Sequence, residues 1–176
     1  RKSITRLKID FGSTGPLTEF KNLESLDLSE SKIYSQGEWS VLRGAGDLEH
    51  LDDLIHCTEL THLNLSGCRS LQNVDVLVNC TKLTRLYLMG CSSLQNVDGL
   101  INCSKLTELW LNDCFRLQSV DGLVNCTKLT ELNLGKCISL QNLDGLANCT
   151  KLTKLDLHDC TSLQNMDGLV NCTKLT

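Results

Sequence analysis

Eleven cysteines, at alternating spacings of 11 and 12 residues from Cys57 to Cys172, are the most chemically loaded side chains of this sequence. Thiols in such number could ligate zinc or pair as disulfides. Zinc sites draw on close cysteine pairs, and no close pair is present, so a metal is not expected. The alternating spacing divides the cysteines between two columns. Disulfides between stacked neighbours are one outcome, but an odd total in ladder order favours reduced thiols that pack as small hydrophobes. Asp75, Asp98, Asp121, Asp144 and Asp167 form a third column that could pass for a metal ladder or for paired catalytic acids. Followed mostly by Gly-Leu, they read instead as residues that accept backbone N–H groups and cap the next turn. His50, His56, His62 and His158 have no partner of the kind that nucleophilic or metal chemistry requires. Without a glycine-rich phosphate loop either, the sequence offers no catalytic residue, no metal site and no cofactor.

Five Asn-Cys-Thr/Ser sequons, at Asn79, Asn102, Asn125, Asn148 and Asn171, imply glycans only in a secretory context. Repetition multiplies a single coincidence here, and a turn role for these asparagines is the simpler reading. The compartment stays open. The unpaired cysteine ladders favour a cytoplasmic location, and the sequons allow an extracellular one.

These columns belong to a repeated unit. Copies close to LTxLxLxxCxSLQNVDGLVNCTK begin at Leu60, Leu83, Leu106, Leu129 and Leu152, and a sixth opens at Leu175. A fixed period of 23 residues signals a solenoid, since no single unit can bury its own apolar face. Within LTELNLGKC, Leu132 and Leu134 alternate with Glu131, Asn133 and Gly135, the pattern of a strand with one buried face. Beyond the strand, Leu140, Leu143, Leu146, Cys149 and Leu152 stand three apart, which suits 3₁₀ turns rather than a long helix. Each unit is thus a short strand and a compact return arm. Stacked strands must run parallel, with right-handed crossovers. The bulkier arm puts the sheet on the concave side.

The pattern LxxLxLxxCxxL resembles the constant half of a leucine-rich repeat. The arm VDGLVNCTKLTELNLG is similar to the SDS22-like and internalin class, and the cysteine followed by Ser-Leu resembles plant immune-receptor and some kinetoplastid repeats. The resemblance covers roughly residues 50–176. It implies an α/β-type solenoid, a right-handed leucine-rich-repeat array with a concave parallel sheet and short 3₁₀ or irregular convex arms. It says little about the partner, because one scaffold serves many tasks.

Upstream the unit is blurred. Ile4, Leu7 and Ile9 match the strand pattern, as do Leu23, Leu26 and Leu28, and residues 50–60 are a variant arm. A surplus of 14 residues lies near 31–48, holding Trp39 and the Gly44-Ala45-Gly46 run. It reads either as a capping irregularity or as a protrusion that touches a partner. Residues 1–49 are therefore divergent N-terminal repeats, and 50–176 the regular array. The chain opens on Arg1 and stops just inside a repeat at Thr176, so the array is expected to be a truncated piece of a longer protein. A net charge of −4 without a basic run argues against nucleic acid, and no apolar stretch is long enough for membrane insertion.

Differences between copies are confined to a few columns. Column 3 holds His62, Arg85, Glu108, Glu131 and Lys154; column 5 holds Asn64, Tyr87, Trp110, Asn133 and Asp156; column 7 holds Ser66, Met89, Asn112, Gly135 and His158. Strand alternation sends all three to the concave face. Columns 8 and 10, the latter including Phe115 and Ile138, fall on the adjoining rim. The glutamines from Gln72 to Gln164 and the lysines from Lys82 to Lys174 are identical in every copy. Diversity on one surface of a uniform scaffold points to a recognition surface for a protein ligand.

Its expected centre is Tyr87 and Trp110, about 4.8 Å apart on adjacent strands, flanked by Met89, Asn112 and Phe115. Neighbouring Glu108 and Glu131 would repel, with Arg85 and Lys154 outside them, so a ligand cation could relieve the pair. His62, Arg85, Glu108, Glu131, Lys154, Asp156 and His158 would tune specificity. Two other readings stand beside this one. The array could select substrates for an enzyme complex such as a ubiquitin ligase or phosphatase, or it could self-associate end to end.

Overall fold

A leucine buried at every second position draws residues 62–64 and their counterparts into strands, because alternate side chains of a strand face opposite sides. The computed structural model describes residues 6–8, 24–27, 32–35, 38–41 and 52–176. Seven strands form one parallel sheet in the order β1 (Arg6–Lys8), β2 (Ser25–Asp27), β5 (His62–Asn64), β6 (Arg85–Tyr87), β7 (Glu108–Trp110), β8 (Glu131–Asn133) and β9 (Lys154–Asp156). Between β2 and β5 in the chain, β3 (Lys32–Ser35) and β4 (Glu38–Val41) pair antiparallel, Tyr34 opposite Trp39. The expectations placed on Ile4, Ile9, Leu23, Leu28, Gly44-Ala45-Gly46 and His50 lie outside the described residues.

The register is uniform. Leu26, Leu63, Leu86, Leu109, Leu132 and Leu155 stand in a single line across the sheet. All but Leu155 are at most 1% exposed. Past each strand the buried residues come three apart, as in Cys91, Leu94, Val97, Leu100, Cys103 and Leu106. The cause is the arm's hydrogen bonding. The N–H groups of Cys91, Leu94, Leu100, Cys103 and Leu106 each donate to the carbonyl three residues back, at 2.8–3.2 Å. Such i to i−3 bonding repeats the inward direction every third residue. It closes 3₁₀ segments such as Asp75–Asn79, Asp98–Leu100, Asp121–Leu123, Asp144–Leu146 and Asp167–Leu169. The whole is a leucine-rich-repeat solenoid with a sheet on one side and 3₁₀ arms on the other.

Neighbouring arms touch backbone to backbone. A Cβ added at Gly99, Gly122, Gly145 or Gly168 would run into the carbonyl of Val74, Val97, Val120 or Leu143 in the preceding arm. Side chains bind the stack as well. Thr84, Thr107, Thr130 and Thr153 each donate Oγ1–H to the carbonyl of the equivalent threonine one repeat earlier, at 2.8–3.0 Å. The sequon asparagines Asn102, Asn125, Asn148 and Asn171 do likewise through Nδ2 to the preceding arm, at 3.0–3.2 Å. Their role is inter-repeat bridging rather than closure of their own turn.

The aspartate column departs from expectation. The N–H of Asp75, Asp98, Asp144 and Asp167 is accepted by Oδ1 of the asparagine two residues earlier, at 3.1–3.2 Å, and that of Asp121 by Ser119 Oγ at 2.9 Å. The cap is an Asx- or ST-type turn in which the Asn or Ser side chain accepts the Asp N–H. The exposed Asp carboxylates lie in the first turn of each 3₁₀ segment, where negative charge suits the free N–H groups.

None of the eleven cysteines is joined in a disulfide among the described residues. Cys91, Cys114, Cys137 and Cys160 donate to the carbonyls of Leu65, Leu88, Leu111 and Leu134 at 3.1–3.2 Å. The arm column makes longer contacts of the same kind, such as Cys126 to the Cys103 carbonyl at 3.6 Å. Burial pushes Cys80, Cys126 and Cys137 up to about 12, and Cys103 and Cys149 up to about 11. A thiol held protonated in this way is a weak donor and a poor nucleophile.

Candidate functional site

On each strand the column 4 leucine turns inward, and columns 3 and 5 emerge on the sheet face around it. Column 5 has a local duty in most copies. Oδ1 of Asn64 accepts the Ser66 N–H at 3.0 Å, Asn133 accepts that of Gly135 at 2.9 Å, and Asp156 accepts that of His158 at 3.0 Å. An Asn or Asp at this position thus secures the chain as it leaves the strand. Tyr87 and Trp110 have no side-chain oxygen placed to do this. Two consecutive repeats give up a structural bond and put aromatic rings there instead.

Those rings meet edge to face, with centroids 5.8 Å apart and planes at 83°, a favoured geometry for an aromatic pair. Their residues lie opposite one another in register. Both are half-buried rather than open, since each ring covers part of the other. Among the described residues, Trp110 Nε1 is buried without a hydrogen-bond partner, as are Asn112 Oδ1 and Ser66 Oγ. All three atoms belong to columns 5 and 7. A buried donor left unpaired costs on the order of 1–3 kcal/mol, which offsets part of what the ring packing contributes.

The acidic pair is compensated within the chain, contrary to the expectation that it awaits a cation. Glu108 and Glu131 do face each other in register. Glu108, however, accepts the Tyr87 hydroxyl at 3.1 Å and lies 3.4 Å from Arg85 Nε, and Glu131 lies 3.3 Å from Lys154 Nζ. Column 3 therefore carries two cross-strand ion pairs, Arg85 with Glu108 and Lys154 with Glu131. Burial, then the bond to Glu108, raises the Tyr87 phenol above its ordinary range.

Around this centre, His62 Nδ1 shares a hydrogen bond with Thr61 Oγ1 at 2.8 Å, and His62 neighbours Arg85 in register. Met89 is half-buried. Asn112 Nδ2 donates to Asp113 at 2.9 Å, and Lys136 reaches Asp113 at 3.6 Å. The His158 ring lies directly over Gly135 and bonds Asp156 through Nδ1 at 2.8 Å. The backbone N–H of His158, then its ring, holds the Asp156 carboxyl below the usual range.

Phe115 sits on the rim at 42% exposure, and Ile138, its counterpart in the next copy, at 45%. The pair forms an apolar edge that a reading centred on Tyr87 and Trp110 undervalues, although column 10 had varied enough to flag it. Column 8 is the reverse case. Gly67, Gly90, Asp113, Lys136 and Asp159 all have φ between 58° and 84°. Glycine and aspartate there answer a left-handed backbone, so variation in that column is partly conformational.

Residues 104–148 match the family model described as leucine-rich repeats, two copies. No curated protein matches the chain. Among solved structures it is similar to an internalin (inlF) from Listeria monocytogenes, at 19% identity over 92% of this chain and 48% of that one, with a TM-score of 0.54. It is also similar to an internalin C2 (inlC2) from the same organism, at 20% identity over 90% of this chain and 71% of that one, with a TM-score of 0.57. The chain thus spans about half the length of the first of these relatives.

Proposed function

We propose that this chain, a leucine-rich-repeat protein, is a non-catalytic recognition module that takes a protein ligand on its concave sheet. One observation carries the reading. At column 5 the Asn or Asp that secures the strand exit is replaced in two adjacent repeats by Tyr87 and Trp110, whose rings pack together on the open face. Rigid aromatics at the middle of a surface anchor protein interfaces. Met89, Asn112 and the exposed Phe115 extend the apolar contact. Arg85, Glu108, Glu131 and Lys154, held in ion pairs, present ordered charge on one side. His62, Asp156 and His158 set the ends of the footprint. A ligand carbonyl that reached Trp110 Nε1 as the rings shift would satisfy the orphaned donor.

A photoreactive benzoylphenylalanine placed at position 87 or 115, in extracts of the source cells, is expected to give a discrete protein adduct. The same group at Gln118, on an arm, should give none. Trp110→Ala should lower affinity for the captured protein by about 2 kcal/mol or more. Adducts from position 118 alone, or unchanged affinity in the variant, would remove the assignment.

A further inference from the structure

Among the columns that never vary, most have a structural duty; the glutamine and lysine side chains have none among the described residues, and of these two columns only the lysines carry charge. Leucines and cysteines fill the core, glycines admit the neighbouring arm, and threonines and asparagines bridge repeats. Lys82, Lys105, Lys128, Lys151 and Lys174 are exposed where each arm turns back toward its strand. Their spacing is within contact range. Where the preceding repeat carries an acid, Lys82 Nζ meets Glu59 of that repeat at 2.6 Å. From Lys105 onward the preceding residue is another lysine, and none of these four has an acidic partner within 4.0 Å among the described residues. A row of like charges at that pitch repels itself, and holding it constant costs stability in every repeat.

We propose that this row binds a linear anionic polysaccharide lying along the solenoid axis. Each repeat offers the same three exposed groups at this edge: an asparagine amide, a threonine or serine hydroxyl, and the ammonium. Amides and hydroxyls suit sugar hydroxyls, and the ammonium suits a carboxylate or sulfate. The strip lacks the aromatic rings and arginines on which nucleic-acid bases stack and the apolar anchors that a protein interface uses. One ammonium per repeat, in single file on a rigid axis, matches a polymer with charges along its length. The row and the sheet face are separate surfaces, so neither proposal rests on the other.

The test measures binding of the chain to heparin, polygalacturonate, neutral dextran and single-stranded DNA at low and raised salt. Heparin separates a sulfate requirement from the carboxylate-only polygalacturonate. Binding to at least one of these two, weakened by salt, and none to dextran, is expected. The triple variant Lys105→Gln/Lys128→Gln/Lys151→Gln should lose about tenfold or more in affinity, and its log–log salt slope should fall by about one per lysine removed. Circular dichroism confirms that it remains folded. The variant Arg85→Gln/Lys136→Gln/Lys154→Gln removes the same charge elsewhere and should bind as the parent does. No binding of either polyanion at low salt, equal loss in the charge-matched control, or equally tight binding of DNA overturns the proposal.

Discussion

Gly122 on an arm and Gly135 on the sheet face are both crowded glycines, yet what crowds them differs in kind. Gly122 faces the Val97 carbonyl and the Asp98 Cα, whereas the atoms nearest a Cβ at Gly135 all belong to the ring of His158. The first obstacle is fixed by the stack itself. The second is the far end of a side chain that can swing away. The same contrast runs through the molecule. Arm residues are specified by the neighbouring repeat, so every copy must repeat them; face residues meet solvent or one another, so each copy can differ. Diversity collects where the geometry leaves the choice open, and the aromatic pair shows a choice exercised at some cost.

Substitution can break this division at its strongest point first. Leu109→Ala, in the line of buried leucines, should cost about 2–5 kcal/mol in denaturant unfolding. A loss below 1 kcal/mol would mean that the repeats pack far more loosely than the uniform burial indicates. The glycines sharpen the contrast. Gly122→Ala should destabilise by roughly 1–3 kcal/mol through forced separation of two arms, and Gly135→Ala by less than about 0.5 kcal/mol. Similar losses at both positions would erase the distinction between arm and face.

The smallest effect concerns pH. Asp156 is held below its usual range by the His158 N–H, so the folded state binds its proton less readily than the unfolded chain does. Its contribution is therefore present above the ordinary aspartate range and lost as pH falls through the folded value. A thermal melt series from about pH 5 to about pH 3 should show a shallow decline that Asp156→Asn lacks. Because the carboxylate is largely solvated, the difference is expected to be slight. Identical curves for the two proteins would mean that the negative charge of Asp156 adds nothing in solution to what an asparagine supplies at the strand exit.

The framework was legible in the sequence because its causes are periodic. Alternation at Leu132 and Leu134 gives the strand, and the three-residue spacing from Cys137 to Leu152 gives the 3₁₀ arm. What escaped depends on partners that no spacing encodes. An Asx turn on Asn73 and an N-cap on Asp75 differ by two residues and use the same residue types, so the capping role fell to the wrong column. Glu108 and Glu131 were correctly set side by side, but their neutralisation needed the reach of Arg85 and Lys154 across adjacent strands. Half-burial of Tyr87 and Trp110 follows from how two rings tilt, and the left-handed backbone at Asp113, Lys136 and Asp159 passed for free variation.

The threonine ladder carries a last consequence. Thr84, Thr107, Thr130 and Thr153 each give their proton backward to the unit before, and the acceptor is always the carbonyl oxygen of the equivalent threonine. An in-frame gain or loss of one whole unit anywhere in the regular array would leave that chain of bonds unbroken. Evolution can therefore lengthen, shorten or reshuffle the display surface by recombination within the gene, with no new folding problem to solve each time.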